Sequence, residues 1–248
     1  MKLKIVCASI AGSLFIAPSL FAQIVGTGSL EINAPNYSSV GDQAGPYMVS
    51  GLTASSGVTP ASSFQTFCIG SQVDYYPGST YNYQISGTVQ PTSGVGSPGY
   101  VTWGTAYLYN QFLAGVLGIG GNGSMVAADN AENDGLQLAI WELQQQSLSG
   151  IKFGQNSTDV NNWANEFLAD ALTAAANAGV SDGSNANGAF GIYALNMYSG
   201  SSSDPDYAQP ELVKVPVPEA STVYAGALLL VPLGLGILRR ARRPAQAA

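Results

Sequence analysis

The feature that most restricts the fold is the way short β-prone runs alternate with turn-forming clusters in the first part of the chain. Ser29 to Ile32, Tyr47 to Val49, Phe64 to Ile69 and Tyr81 to Val89 have strand length and apolar or aromatic content. Gly, Pro, Ser and Asn collect between them, at Asn33-Ala34-Pro35-Asn36, Gly41 to Pro46, Pro77-Gly78 and Pro91 to Pro98. Such clusters favour the φ/ψ values of turns over those of regular structure, so this half predicts strands of a sandwich or barrel.

After Tyr100 the period changes. Ala106, Tyr107, Asn110, Phe112, Leu113 and Val116 recur at helical spacing as far as Gly118. A second helix is expected beyond Asp129 to Gly135, capped by Asn133 or Asp134, with Leu136, Ile140, Leu143 and Leu148 as its buried stripe. A third follows Ser157-Thr158, carries Val160, Trp163, Phe167, Leu168, Ala171, Leu172 and Ala175 on one side, and stops at Gly179. Strands resume from Phe190 to Met197, Tyr198 to Gln209 reads as a loop, and Glu211 to Val215 as a last strand. The expected fold is α+β, with β-sandwich or barrel-like strands enclosing a central helical block over residues 23–215.

Composition narrows the function. Of the eight Lys and Arg residues, six lie in the terminal segments, and only Lys152 and Lys214 face all 15 acidic residues in the body. No basic patch exists to neutralise phosphates, which argues against nucleic-acid binding. Histidine is absent, so Cys-His and Ser-His catalysis and the commonest transition-metal ligand are unavailable. Charged residues are 9% of the chain and hydrophobic ones 46%, a balance that suits an extracellular β-rich protein. Carboxylates are available for glycosidase-type chemistry, but no pair of them stands out; no enzyme activity and no cofactor are expected.

Both ends read as processing segments. Residues 1–22 combine Lys2 and Lys4, an apolar run from Ile5 to Ala17, a Pro18-Ser19 break and small Ala22, the pattern of a secretory signal peptide cut by signal peptidase. At the other end Val217-Pro218-Glu219-Ala220 precedes an apolar stretch, Val223 to Leu238, and then Arg239, Arg240, Arg242 and Arg243. Sixteen such residues span roughly 24 Å as a helix, slightly under a bilayer core, and the arginines would stay cytoplasmic. Residues 216–243 resemble a PEP-CTERM sorting signal, with Ala220 where that motif has a second proline. The resemblance implies a Gram-negative envelope, transient anchoring in the inner membrane, cleavage by an exosortase near Pro218-Glu219, and delivery to the outer surface or matrix, often beside exopolysaccharide.

Removal of the leader takes Cys7 with it and leaves Cys68 as the sole cysteine, which excludes an internal disulfide in an exported chain. Phe67-Cys68 and Gln137-Leu138-Ala139-Ile140-Trp141 together resemble the paired signatures of bacterial thioester domains, with Leu136 where that family usually has Thr. Tyr83-Gln84 is a weaker match to its additional strand motif. The resemblance implies that the Cys68 sulfur attacks the Gln137 side-chain carbonyl, that ammonia leaves, and that the internal thioester captures an amine on a surface target. A place for Gln137 near a helix N-terminus would let unpaired backbone N–H groups polarise its carbonyl. Trp141, four residues on, and Phe67 would shield the bond from water.

Two readings stay open: a covalent adhesin using Cys68 and Gln137, or a non-covalent structural or exopolysaccharide-associated biofilm protein with Cys68 inert in the core. Two lesser signals accompany them. Asp129, Asn130, Glu132, Asn133 and Asp134 crowd one segment, but its register puts Trp141 where a calcium loop needs Glu, so a cap-rich helix entry is the expectation. Tyr75, Tyr76, Tyr81, Tyr83, Tyr107 and Tyr109 read as a sugar-stacking surface or as ordinary strand and helix packing.

Overall fold

The structure is a computed structural model, and it describes residues 26–33, 45–57, 60–71, 76, 78–90, 99–119, 131–153, 156–201 and 204–216. The segment expected to be a signal peptide (1–22), the Pro218-Glu219 motif, the apolar tail and the arginine cluster lie outside the described residues. No helix among the described residues is long and apolar enough to cross a membrane.

The fold is α+β: a seven-strand antiparallel sheet with three helices between its fourth and fifth strands. The strands are β1 (Gly26–Asn33), β2 (Tyr47–Gly57), β3 (Phe64–Thr66), β4 (Thr80–Ser86), β5 (Ile192–Ser201), β6 (Asp204–Tyr207) and β7 (Glu211–Lys214). They run in the order β3-β2-β1-β4-β5-β6, and β7 pairs with the first half of β5 while β6 pairs with its second half. An isolated antiparallel bridge joins Cys68, just past β3, to Glu211 of β7. The segment after β3, at one end of the sheet path, therefore meets β7, which lies on β5 near the other end.

Alternation along the strands creates two cores. Leu30, Ile32, Tyr81, Tyr83, Ile85, Tyr193, Leu195, Met197 and Val213 share one with Cys68 and with Trp141 from a helix. Phe67, Ile69, Ile192, Ala194 and Leu212 point the other way and pack with the helices. β5 is buried on both faces from Ile192 to Tyr198 for this reason.

The helices are α1 (Trp103–Leu113), α2 (Ala131–Leu143) and α3 (Ser157–Ala178). α1 begins earlier than its apolar spacing suggests, because the Thr102 side chain caps it by accepting from the Thr105 N–H, and it ends before Val116, which is 68% exposed. α2 also starts early, at Ala131. Asn133 and Asp134 are consequently buried inside the helix rather than capping it. The α2 C-terminus closes when the Gln146 N–H reaches the Trp141 carbonyl and the Gln145 N–H that of Glu142, with Gln145 at φ 54° in the left-handed position usually held by glycine. Leu148 therefore lies beyond the helix, on the surface. α3 starts after the Asn156 cap and stops at left-handed Gly179; Leu172 projects into solvent instead of joining its apolar side.

The strands depart from expectation in three further places. β3 stops at Thr66 because its pairing with β2 ends there, and the following residues swing toward β7, so Cys68 is a bridge residue and not a strand interior one. Phe190 belongs to a tight turn at φ 58°, and the strand begins two residues later. The Ser-, Asp- and Pro-rich stretch expected as a loop holds the end of β5 and all of β6; proline is tolerated there because β6 is an edge strand.

Gly135 sets how closely α2 approaches α3. A Cβ there would lie 2.5 Å from Trp163 Cβ and 3.0 Å from the Val160 carbonyl oxygen, both parts of a helix that cannot rotate away. Gly135→Ala is expected to destabilise the fold by about 1–3 kcal/mol through overpacking, despite the better helix propensity of alanine. Chemical denaturation of the two proteins measures this, and an unchanged or higher midpoint would show that the helices separate freely.

Candidate functional site

The site is assembled by the bridge between Cys68 and Glu211. The Ile69 N–H donates to the Pro210 carbonyl at 2.8 Å and the Leu212 N–H to the Phe67 carbonyl at 3.1 Å. These bonds flank Cys68 and Glu211 and leave them as a non-hydrogen-bonded pair, the arrangement in which opposing side chains approach most closely. The backbone groups of Cys68 point away from β7, toward α2. There the Gln137 side chain takes both: the Cys68 N–H donates to Gln137 Oε1 at 3.1 Å, and Gln137 Nε2 donates to the Cys68 carbonyl at 2.8 Å. The Cys68 thiol donates to the same Gln137 Oε1 at 3.3 Å.

Gln137 and Cys68 are both 0% exposed. Gln137 is placed in the second turn of α2 rather than at its start, since the helix begins at Ala131. The donor that polarises its carbonyl is therefore the Cys68 N–H, not the helix terminus. A second tie fixes the same segment to the end of α2: Gln146 Oε1 accepts from the Ser71 N–H at 3.3 Å, and the Ser71 hydroxyl donates to the Ser147 carbonyl at 2.6 Å. Gln209 Nε2 holds the Gly70 carbonyl from the other side at 3.0 Å.

Phe67 and Trp141 are buried on opposite sides of this pair, Phe67 edge-on to Phe112 at 4.9 Å and Trp141 tilted on Phe153 at 6.3 Å. Gly45 covers the amide. A Cβ at Gly45 would lie 2.8 Å from the Phe67 ring and 3.1 Å from Gln137 Oε1, so only glycine fits. Leu136 packs into the helical core, and Tyr83 is buried beneath the sheet. Lys214 is exposed and donates to Asn110 Oδ1 at 2.8 Å, and Lys152 is also on the surface, so neither amine enters the site.

Burial pushes the Cys68 thiol well above its usual range, and the neighbouring Glu211 adds to the rise; the Tyr47 hydroxyl, the Trp141 N–H and the Cys68 N–H oppose it. The Trp141 N–H makes no hydrogen bond of ordinary geometry and acts on the sulfur as a loose donor. Glu211 is fully buried, and neither of its oxygens has a hydrogen-bond partner of ordinary geometry. Its carboxyl too is driven well above the usual carboxylate range by burial, opposed by the Thr66 hydroxyl, which also donates to the Leu212 carbonyl at 2.6 Å.

Sequence reasoning named Cys68, Gln137, Phe67 and Trp141, and the structure brings these four together. It missed Glu211, Tyr47 and Gly45. Glu211 shares the strand face of Val213 and Val215, which is the one pattern that could have pointed to it. Among the described members of the tyrosine set Tyr81, Tyr83 and Tyr109 are buried, Tyr107 is half-buried and stacked on Trp103, and Tyr76 is exposed, so these five do not share one surface; Tyr75 lies outside the described residues. Among the described residues no group of three or more His, Cys, Asp or Glu is placed to hold a metal.

A raised Glu211 pKa has a sign that can be measured. The folded chain holds the Glu211 proton above the ordinary value of 4.5, where the unfolded chain releases it, so stability falls as pH rises through that window. Glu211→Gln carries no such proton. Its stability relative to the wild type is expected to grow by up to about 1.4 kcal/mol per pH unit between about pH 5 and the folded pKa, read from urea unfolding. Parallel pH profiles for the two proteins would mean that Glu211 ionises as freely as on a surface.

No family model, no curated protein and no solved structure matches the chain.

Proposed function

We propose that the domain forms an internal thioester between Cys68 and Gln137 and uses it to attach covalently to an amine on a surface target. The observation that carries this reading is the two-point pairing of the Gln137 amide with the Cys68 backbone, which holds the sulfur against the carbonyl group it would attack. Formation joins the sulfur to Gln137 Cδ, breaks the bond from Cδ to Nε2, and releases ammonia with the thiol proton. Capture reverses the pattern: a target amine replaces sulfur on Cδ as an amide, and Cys68 recovers its proton as a thiol. The Cys68 N–H, already donating to Oε1, is aimed at the oxygen that becomes negative in both steps. Pre-positioning supplies the effective concentration that an otherwise slow amide exchange requires.

The rest of the reading concerns delivery. The domain, with strands closing barrel-like around the thioester and the helical block against them, is exported by its signal peptide. It is held briefly in the inner membrane by residues 223–238, and cut by an exosortase near Pro218-Glu219. It then acts at the outer surface or in an exopolysaccharide matrix. The competing reading, a non-covalent matrix protein, draws support from the complete burial of both Cys68 and Gln137, since a hydrogen-bonded pair in a core needs no chemistry.

The intact mass of the purified full-length chain separates the two. The covalent reading expects a mass one ammonia below the sequence value, restored and increased by methylamine, and a full sequence mass in Cys68→Ala and Gln137→Ala. A full mass in the wild type with both thiols, Cys7 and Cys68, titratable after unfolding would refute it. Gly45→Ala tests the geometry: displacing the Gln137 amide is expected to slow bond formation by about 100-fold while the fold survives. Wild-type ammonia loss in Gly45→Ala would mean that the amide position is not critical.

A further inference from the structure

Glu211 has no role in the packing described above. It is the residue directly opposite Cys68 in the bridge, in the pair type whose side chains lie closest. Its face is fixed independently, because Val213, two residues along the same strand, packs in the same core as Cys68. It is fully buried, and neither carboxyl oxygen has a hydrogen-bond partner of ordinary geometry. A carboxyl group in such a place costs stability and would be replaced without loss by an apolar side chain if packing were its only duty.

We propose that Glu211 is the proton carrier for thioester formation, taking the proton from the Cys68 thiol as the sulfur attacks Gln137 and passing it to the departing amide nitrogen. The role rests on the Cys68-Gln137 thioester reading. The proton balance is closed: the thiol loses one proton, Glu211 holds it through the tetrahedral intermediate, and ammonia carries it away. Glu211 ends in the state in which it began. A carrier is needed because the chain has no histidine and the thiol is buried among apolar side chains.

The groups facing Glu211 support this assignment. From β3 comes the Thr66 hydroxyl, which favours the ionised carboxyl, from the bridging segment Cys68, and from α1 Tyr109, whose hydroxyl donates to the Gln65 carbonyl at 2.8 Å and is held protonated by burial. Tyr47 of β2 acts on the sulfur rather than on the carboxyl. Lys214 of β7 is turned outward to Asn110. Among the described residues Glu211 is the carboxyl group placed to exchange a proton with the thiol, and its ionised form is the active one, so bond formation should accelerate with pH as the carboxyl deprotonates.

The test follows bond formation in time. The full-length chain is treated with ammonia in denaturant, which converts any thioester back to thiol and Gln amide; it is then freed of ammonia and refolded over a range of pH. Loss of one ammonia is followed by mass. The wild-type rate is expected to rise with pH and level off at a midpoint well above that of an ordinary carboxylate. Glu211→Gln is expected to refold, to form the bond about 100-fold or more slowly, and to lose that midpoint. Glu211→Asp, which keeps a carboxylate on a shorter arm, should recover part of the rate. Wild-type kinetics in Glu211→Gln, or a wild-type rate independent of pH, would overturn the role while leaving the thioester intact. A wild-type chain that never loses ammonia overturns the thioester and this role together. If Glu211→Gln does not refold, the wild-type pH profile and the Asp variant decide the matter.

Discussion

The structure depends on one pairing, in which a helix side chain takes the place of a neighbouring strand. As a non-hydrogen-bonded bridge residue, Cys68 turns its N–H and carbonyl away from β7, and in a dry interior each would cost about 1–3 kcal/mol if left unpaired. The Gln137 amide, with one acceptor and one donor set side by side, satisfies both. Gln146 repeats half of the device at Ser71, accepting from its N–H. α2 thereby serves as the missing edge of the segment that follows β3, and that segment can meet β7 at Cys68 without exposing backbone.

That arrangement makes α2 the member shared by both cores. Leu136 and Ile140 pack among the helices, while Trp141 enters the core on the other face of β5. Residues 137 and 141 are four apart, so they stack along one helix face, and the amide that pairs with Cys68 and the ring beside the sulfur move as one unit. Gly135 brings α3 close behind them. Rigidity of this order is what a reaction without a cofactor needs, since positioning must supply much of the rate.

The site was legible in the sequence to the extent that its parts are local. Cys68 stood out by elimination, and Gln137 and Trp141 through the resemblance of their segment to a thioester-domain signature. The helical block, the strands and the Gly179 stop followed from period and turn chemistry. What failed were places where tertiary context overrides a local rule. Asn133 and Asp134 looked like caps because polar residues before an apolar stripe usually are, yet α2 starts earlier and buries them. β6 was hidden because a Ser- and Asp-rich hairpin end has no apolar period to read. Glu211 was invisible for a related reason: at the start of a short strand a lone carboxylate reads as the solvent-facing member, an inference that fails where both strand faces are buried.

Pairing of Cys68 with Gln137 does not by itself separate an inert core from a reactive one, because satisfying two backbone groups is sufficient reason for an amide to be there. Glu211 is the feature that favours the reactive reading proposed above. An inert core has little use for a buried carboxyl group whose oxygens make no hydrogen bond of ordinary geometry opposite a thiol, and would gain stability from leucine or glutamine at that position. Reaction chemistry, in contrast, needs a group that can hold a proton away from water at the moment sulfur bonds to carbon. Desolvation raises the proton affinity of both Cys68 and Glu211, and the thiol rises further because the ionised Glu211 is one of its causes. Proton transfer to Glu211 starts from a carboxylate beside a protonated thiol, and the close approach of the two side chains in a non-hydrogen-bonded pair is what couples their titrations.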